Sequence, residues 1–167
     1  PTAPYTLPGA YMAPNDPSTA STMAYDAVGG KLFWDYNNLG DFNQNGLANL
    51  YDWETLTRMI GAVATGVDSL AGFMTNDPAG TVNVATITQL GRNFNSEITS
   101  YNVYSGTYPD GPSTLLGTVD FADAIGDPAT ERLHFEFALA SPVGGTSYWV
   151  RPFHNGLERA ASTGYTH

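Results

Sequence analysis

The chain has 167 residues, enough for one or two compact domains, and its lack of cysteine excludes disulfides, thiolate metal sites and a Cys nucleophile. With 16 Asp and Glu against 6 scattered Lys and Arg, the net charge is −10, which argues against nucleic acid as a partner. No apolar run is long enough to span a bilayer, so no transmembrane segment is expected.

The composition is rich in Asn, Thr, Ser and Gly and nearly free of Lys. Absence of cysteine fits a cytosolic protein and equally a bacterial exported one that does without disulfides. The sequence starts at Pro1, as it would after removal of an export signal. Together these features point to an extracellular or cell-surface location.

Residues 1–24 carry Pro1, Pro4, Pro8, Pro14 and Pro17 among small polar residues and read as an extended arm. Tyr5, Leu7, Tyr11 and Met12 give that arm apolar mass to lay on a neighbouring subunit. A strand is expected over Gly30 to Tyr36, with Leu32 and Trp34 on one face and Phe33 on the other.

The most informative segment follows. Asp41, Asn43, Asn45, Asn49 and Asp52 occupy positions 1, 3, 5, 9 and 12 of a twelve-residue loop, with Gly46 at position 6 where a calcium loop turns sharply. The backbone carbonyl of Leu47 would be the position-7 ligand. Hard oxygen donors suit calcium; zinc prefers Cys and His, and magnesium prefers to keep its waters. Only two carboxylates face the ion, and position 12 is Asp52 rather than the longer Glu. That predicts weak binding suited to extracellular calcium. The competing reading is an Asn/Gly-rich turn before an ordinary helix.

A helix is expected from Asp52 to Ala62, burying Leu56, Met59 and Ile60. A second loop-helix unit is expected from Thr75 to Phe94. Gly80, Val82 and Asn83 match loop positions 6, 8 and 9, with Val82 in the place of Ala48, the residue that pairs facing loops. Positions 1, 5 and 12 are Thr75, Ala79 and Thr86, which leaves Asp77 and Asn83 as good side-chain ligands. The loop over 75–86 reads as a degenerate partner of the first, or as a reshaped site using Asn76 and Asp77.

From Ile98 the pattern turns to strands: Tyr101–Tyr104, Leu115–Phe121, Leu133–Ala140 and Ser147–Phe153. Leu133, Phe135, Phe137 and Leu139 share one face, with His134 and Glu136 opposite. Pro152 calls for an edge or strand-end position. His154, Asn155 and Gly156 read as a turn, and residues 159–167 as one weak strand. Trp149, Tyr148, Tyr104 and Tyr108 offer a sugar-stacking face if they point outward. No catalytic Ser-His-Asp order or phosphate-binding glycine loop appears, so no enzyme is expected.

The first loop, Gly40 to Asp52, resembles the repeat of type I dockerins, which also carry Asp at loop position 12. The second unit resembles a dockerin repeat with eroded ligands, so that the likeness covers about residues 40–95. The segments Ile98–Gly106 and Thr146–Gly156 resemble the third and sixth strands of a fibronectin type III domain, and Gly30–Tyr36 its second, with Trp34 in the core.

The resemblances imply a mostly β, α+β protein: a fibronectin type III-like β-sandwich over residues 25–38 and 98–167. A dockerin-like helical EF-hand pair, residues 39–97, would be inserted between its second and third strands. The rival arrangement is two sequential domains, and a contact between Trp34 and Tyr101 would distinguish them. The expected function is a non-enzymatic, calcium-stabilised structural module that self-associates through its N-terminal arm, as a filament or surface-protein subunit. The alternative is a binding module, for protein docking or carbohydrate.

Overall fold

The computed structural model describes residues 23–36, 38, 40–61, 81–84, 91, 94–128, 132–159 and 161–167. The arm at residues 1–22 and most of the second loop-helix unit lie outside the described residues. The described residues include nine strands and a helix: β1 (Ala24–Asp26), β2 (Lys31–Asp35), α1 (Leu50–Arg58), β3 (Ile98–Gly106), β4 (Ser113–Asp120), β5 (Ile125–Gly126), β6 (Leu133–Ala138), β7 (Ser147–His154), β8 (Leu157–Glu158) and β9 (Tyr165–Thr166). The chain is thus mostly β.

Two antiparallel sheets make a β-sandwich. One has the order β1-β2-β6-β5; the other has β4-β3-β7, with β8 and β9 sharing the far side of β7. Alternation decides which side chains meet between them. On β2, Leu32 and Trp34 point inward and are buried, while Phe33 faces out. Phe135 of β6 joins them from the same sheet. Tyr101 and Val103 of β3, and Tyr148 and Val150 of β7, close the core from the other. Trp34 meets Tyr101 edge to face and stacks on Phe135. The opposite face of β6 carries Glu136, which pairs with Lys31 of β2 at 2.6 Å.

The sandwich starts earlier than the arm's expected end. Met23 is buried, and its N–H bonds to Thr163 O at 3.1 Å, while Ala24 already pairs with Phe33. A strand this short carries no periodic signal of its own.

Pro152 lies not at an edge but in the middle strand β7, opposite Tyr101. Its carbonyl accepts from Arg159 N, so the side on which it lacks an N–H faces β8 and β9. That side is where the two short strands leave a gap. The one bond the ring removes is the reciprocal one to Arg159 O, which accepts instead from Arg151 Nη1 at 3.3 Å, so the proline costs little at this position.

The helix is shorter than its periodicity suggests and is shifted toward the N-terminus. It buries Leu56 and partly covers Met59, but Ile60 is 56% exposed. Met59 N bonds to Leu56 O, a tight last turn, and Gly61 takes a left-handed φ of 83° with its N–H on Val82 O. That bond turns the chain out of the helix before Ile60 can reach the packed face. Leu56 and Val82, with Phe42, Trp53 and Met59, form a small satellite core. Among the described residues, no helix is long and apolar enough to cross a membrane.

Candidate metal centre

The loop between β2 and α1 is built on its own side chains. Asp41 and Asp52 are each only 1% exposed. Asp41 Oδ2 accepts from the Tyr36 hydroxyl at 2.5 Å and from Gly46 N at 2.8 Å, and its Oδ1 accepts from Asn45 N at 3.1 Å. Asp52 Oδ1 accepts from Phe42 N at 2.8 Å and Asn43 N at 3.2 Å, while its Oδ2 accepts from Asn49 N at 2.7 Å. The first and twelfth loop positions are therefore drawn onto the same short stretch of backbone, residues 42–46. Asn43 Oδ1 shares the Asn45 N–H with Asp41.

Asn45 Oδ1 accepts from Leu47 N at 3.0 Å. Leu47 forms a bridge with Glu97, held by Ile98 N on Gly46 O and Ala48 N on Ser96 O. In such a non-hydrogen-bonded pair the residue's own N–H and C=O point the other way, so the Leu47 carbonyl turns toward the loop. Asn49 is the N-cap of α1. Its side-chain oxygen accepts from Tyr51 N at 2.8 Å, and Asp52 reciprocates on its N–H, a capping box. The side-chain oxygen of Asn49 is thus committed to the helix.

Ala48 does not pair its backbone with Val82, as a facing loop would require. Its N–H and C=O bond to Ser96 O and Asn95 N. The chain returning toward β3 has taken that edge of the loop.

Two carboxylates are thus buried side by side. Among the described residues, the ion pairs join Lys31, Arg58 and Arg151 to other acids, and neither Asp41 nor Asp52 has a cation. Burial lifts both carboxyls above their ordinary range, and for Asp41 the charge of Asp52 adds to the rise, against the hydrogen bonds each accepts. Burying charge without a counter-charge is costly, and a cation relieves it. The donors are all oxygens, as a hard cation demands. The residues present therefore fit calcium. No group of three or more His, Cys, Asp or Glu capable of holding a metal occurs among the described residues, and the set here has two carboxylates with amide and carbonyl oxygens beside them.

Three features were missed by reading the sequence. Tyr36 reaches the loop from the end of β2. Gln44 Oε1 accepts from Leu133 N at 2.8 Å, fastening the loop to β6. Asn38, Ser96 and His154 form a buried polar clasp: Ser96 Oγ donates to Asn38 Oδ1 at 2.8 Å and lies 2.7 Å from His154 Nε2. With its one proton on Asn38, the hydroxyl accepts from His154. The alternation that puts Leu32 and Trp34 on one face extends to Tyr36 at the end of the expected strand, but nothing in it links Tyr36 to the loop. His154 is not a turn residue but the buried last residue of β7; Asn155 and Gly156, both at positive φ, make the turn.

Of the aromatic residues considered for sugar stacking, Trp149 and Tyr148 are buried. Tyr104 stacks on Trp149 and Tyr108 packs against its edge, leaving the indole no open face.

Comparison of the chain with protein-family models, with characterised proteins and with solved structures gave no match.

Proposed function

We propose that the chain is a non-enzymatic extracellular structural module, stiffened by calcium and assembling with copies of itself or with a larger surface protein. In this reading the sandwich, residues 25–38 and 98–167, is fibronectin type III-like. Residues 39–97 are a dockerin-like EF-hand pair inserted between β2 and β3. Asp41, Asn43, Asn45 and Asp52 hold the ion by side chain, Leu47 by its carbonyl, and Asn49 through water or the loop backbone. Bound calcium supplies the counter-charge that two buried carboxylates lack and fixes the start of α1.

The observation that carries the reading is where that uncompensated charge sits. The loop is bonded to both sheets at one end of the sandwich: to Tyr36 and Leu133 on one side, and to Ile98 on the other. A cation there ties the two sheets together, which is a mechanical role. The N-terminal arm is the proposed contact to the next subunit, in a head-to-tail arrangement that extends without closing.

Thermal unfolding with calcium and with chelator, together with elemental analysis, tests the calcium part. At a concentration one hundred times Kd, the ion should add about 2.7 kcal/mol, or roughly 5–10 °C in a chain of this size. An unchanged midpoint and no bound calcium would refute it. Asp52→Ala should abolish the gain. Electron microscopy and sizing, with and without residues 1–20, test the assembly part.

A protein-docking module is the second reading. It is favoured by the apolar side chains that α1 and its neighbourhood leave in solvent, Leu50, Tyr51 and Val84. Sizing separates the two. An assembler grows with its own concentration, whereas a docking module stays monomeric until its partner is added.

A further inference from the structure

Tyr36 follows directly on β2 and is buried, its ring against Phe121 at 5.2 Å and Phe135 at 6.3 Å between centres. A buried phenol needs an acceptor, and any backbone carbonyl would serve. Its acceptor is instead a carboxylate of the candidate metal loop. The bond to Asp41 Oδ2, at 2.5 Å, is charge-assisted and the shortest that this carboxylate makes.

The contacts around Tyr36 close on themselves. Gly46, which also donates to Asp41 Oδ2, has a φ of 94°, and a Cβ placed on it would stand 3.3 Å from the Phe121 ring. Phe121 in turn packs edge-on against Tyr36. Asp41, Tyr36, Phe121 and Gly46 therefore form a ring of contacts, two members in the loop and two in the sandwich. Within it, Asp41 Oδ2 accepts two hydrogen bonds, from Tyr36 and from Gly46 N. Oδ1 has one donor, Asn45 N, and one position left.

We propose that Tyr36 is a positioning residue for calcium: its hydroxyl fixes the Asp41 carboxylate so that Oδ1 is presented to the ion, and its ring ties that geometry to the sandwich core. This rests on the calcium reading given above. It adds that the loop is not a self-sufficient site. Tyr36 and Phe121 complete it from outside the loop, so ion affinity depends on the packing between the sheets. By linkage, the ion must tighten that packing in return.

The test is calcium titration of the full chain by calorimetry, with near-ultraviolet circular dichroism for the tyrosine environment. Tyr36→Phe keeps the ring and removes only the hydroxyl. Loss of an outer partner of a metal ligand typically weakens affinity by about 10–100-fold. Tyr36→Phe is expected to do so, to reduce the calcium-induced rise in midpoint, and to lose most of the calcium-dependent change in the tyrosine band. A merely structural tyrosine would lower the midpoint equally in calcium and in chelator and leave Kd unchanged.

Phe121→Leu, in a partly exposed turn after β4, gives a second reading should Tyr36→Phe fold poorly. It is expected to weaken calcium binding by at least about threefold, because it unseats both Tyr36 and Gly46. A wild-type Kd in either folded variant overturns the proposal while leaving the calcium site standing. A wild-type protein that takes up no calcium overturns both.

Discussion

Trp34 and Tyr101 meet edge to face between the two sheets, with 5.6 Å between ring centres. Trp34 is on β2 and Tyr101 on β3, so the strand that leads into the loop region and the strand that follows it pack against each other. The polar clasp lies at the same crossing. Asn38 is on the outgoing chain, Ser96 on the returning chain, and His154 at the end of β7.

The aromatic contact should dominate stability. Trp34→Ala or Tyr101→Ala is expected to cost about 3–5 kcal/mol, as large-to-small changes in a packed core do. The double variant should cost less than the sum, because the two rings touch. Trp34 Nε1 has no hydrogen-bond partner among the described residues, so Trp34→Phe should cost much less than Trp34→Ala. Urea denaturation followed by far-ultraviolet circular dichroism measures all four. A cost for Trp34→Ala within experimental error of zero would contradict the packing described.

Strand identity was legible where one face is buried. The alternation in Leu32, Phe33 and Trp34, and in Leu133 to Phe137, gave both position and facing. The sharp turn at Gly46 and the helix that follows the loop were legible from the spacing of the loop residues. What was not legible depends on partners distant in sequence. Ile60 has the right period for a helix face, but Gly61 bonds to Val82 and ends the helix first. His154 adjoins Asn155-Gly156 and so reads as part of a turn; only the crossing of the returning chain reveals Ser96 beside it. Tyr36 stood only as the end of an expected strand, since nothing local shows that its hydroxyl meets Asp41.

The clasp should be sensitive to loss of its donor. His154→Ala leaves the buried Ser96 hydroxyl short of one partner, at an expected cost of about 1–3 kcal/mol. His154→Gln can still donate an N–H and should recover part of that. Chemical denaturation of the two variants, in chelator to isolate the clasp from calcium, checks the order. Equal losses would show that packing, not the hydrogen bond, is what His154 contributes.

Gly46 is constrained twice. Its φ of 94° is unfavourable for any other residue, and an added Cβ would lie 3.1 Å from Ile98 O. Gly46→Ala is expected to cost roughly 1–3 kcal/mol even without calcium, since strain and crowding act on the fold itself. Its calcium gain should also fall, because Gly46 N is a donor to Asp41. Thermal scans in chelator and in calcium separate the two losses. A drop seen only in calcium would mean that the loop relaxes freely when empty.

Without calcium, burial raises the carboxyls of Asp41 and Asp52 above their ordinary range. A carboxyl whose folded pKa exceeds its unfolded value, about 4, binds its proton more tightly in the folded state. Its stabilising contribution is full below the unfolded pKa and is lost as pH rises through the folded one. In chelator, these two groups therefore favour the folded state as pH falls. Bound calcium reverses the sign, because the ion holds both groups deprotonated and depresses their folded pKa values. Its contribution is then present at neutral pH and lost on acidification, as protons compete for the same oxygens. The difference in midpoint between calcium-loaded and calcium-free protein cancels the other titrating groups. It is expected to be largest near pH 7 and to shrink steadily toward pH 4. In Asp41→Asn the residual difference should be small throughout and less dependent on pH. A calcium gain that stays constant across that range would place the ion away from Asp41 and Asp52.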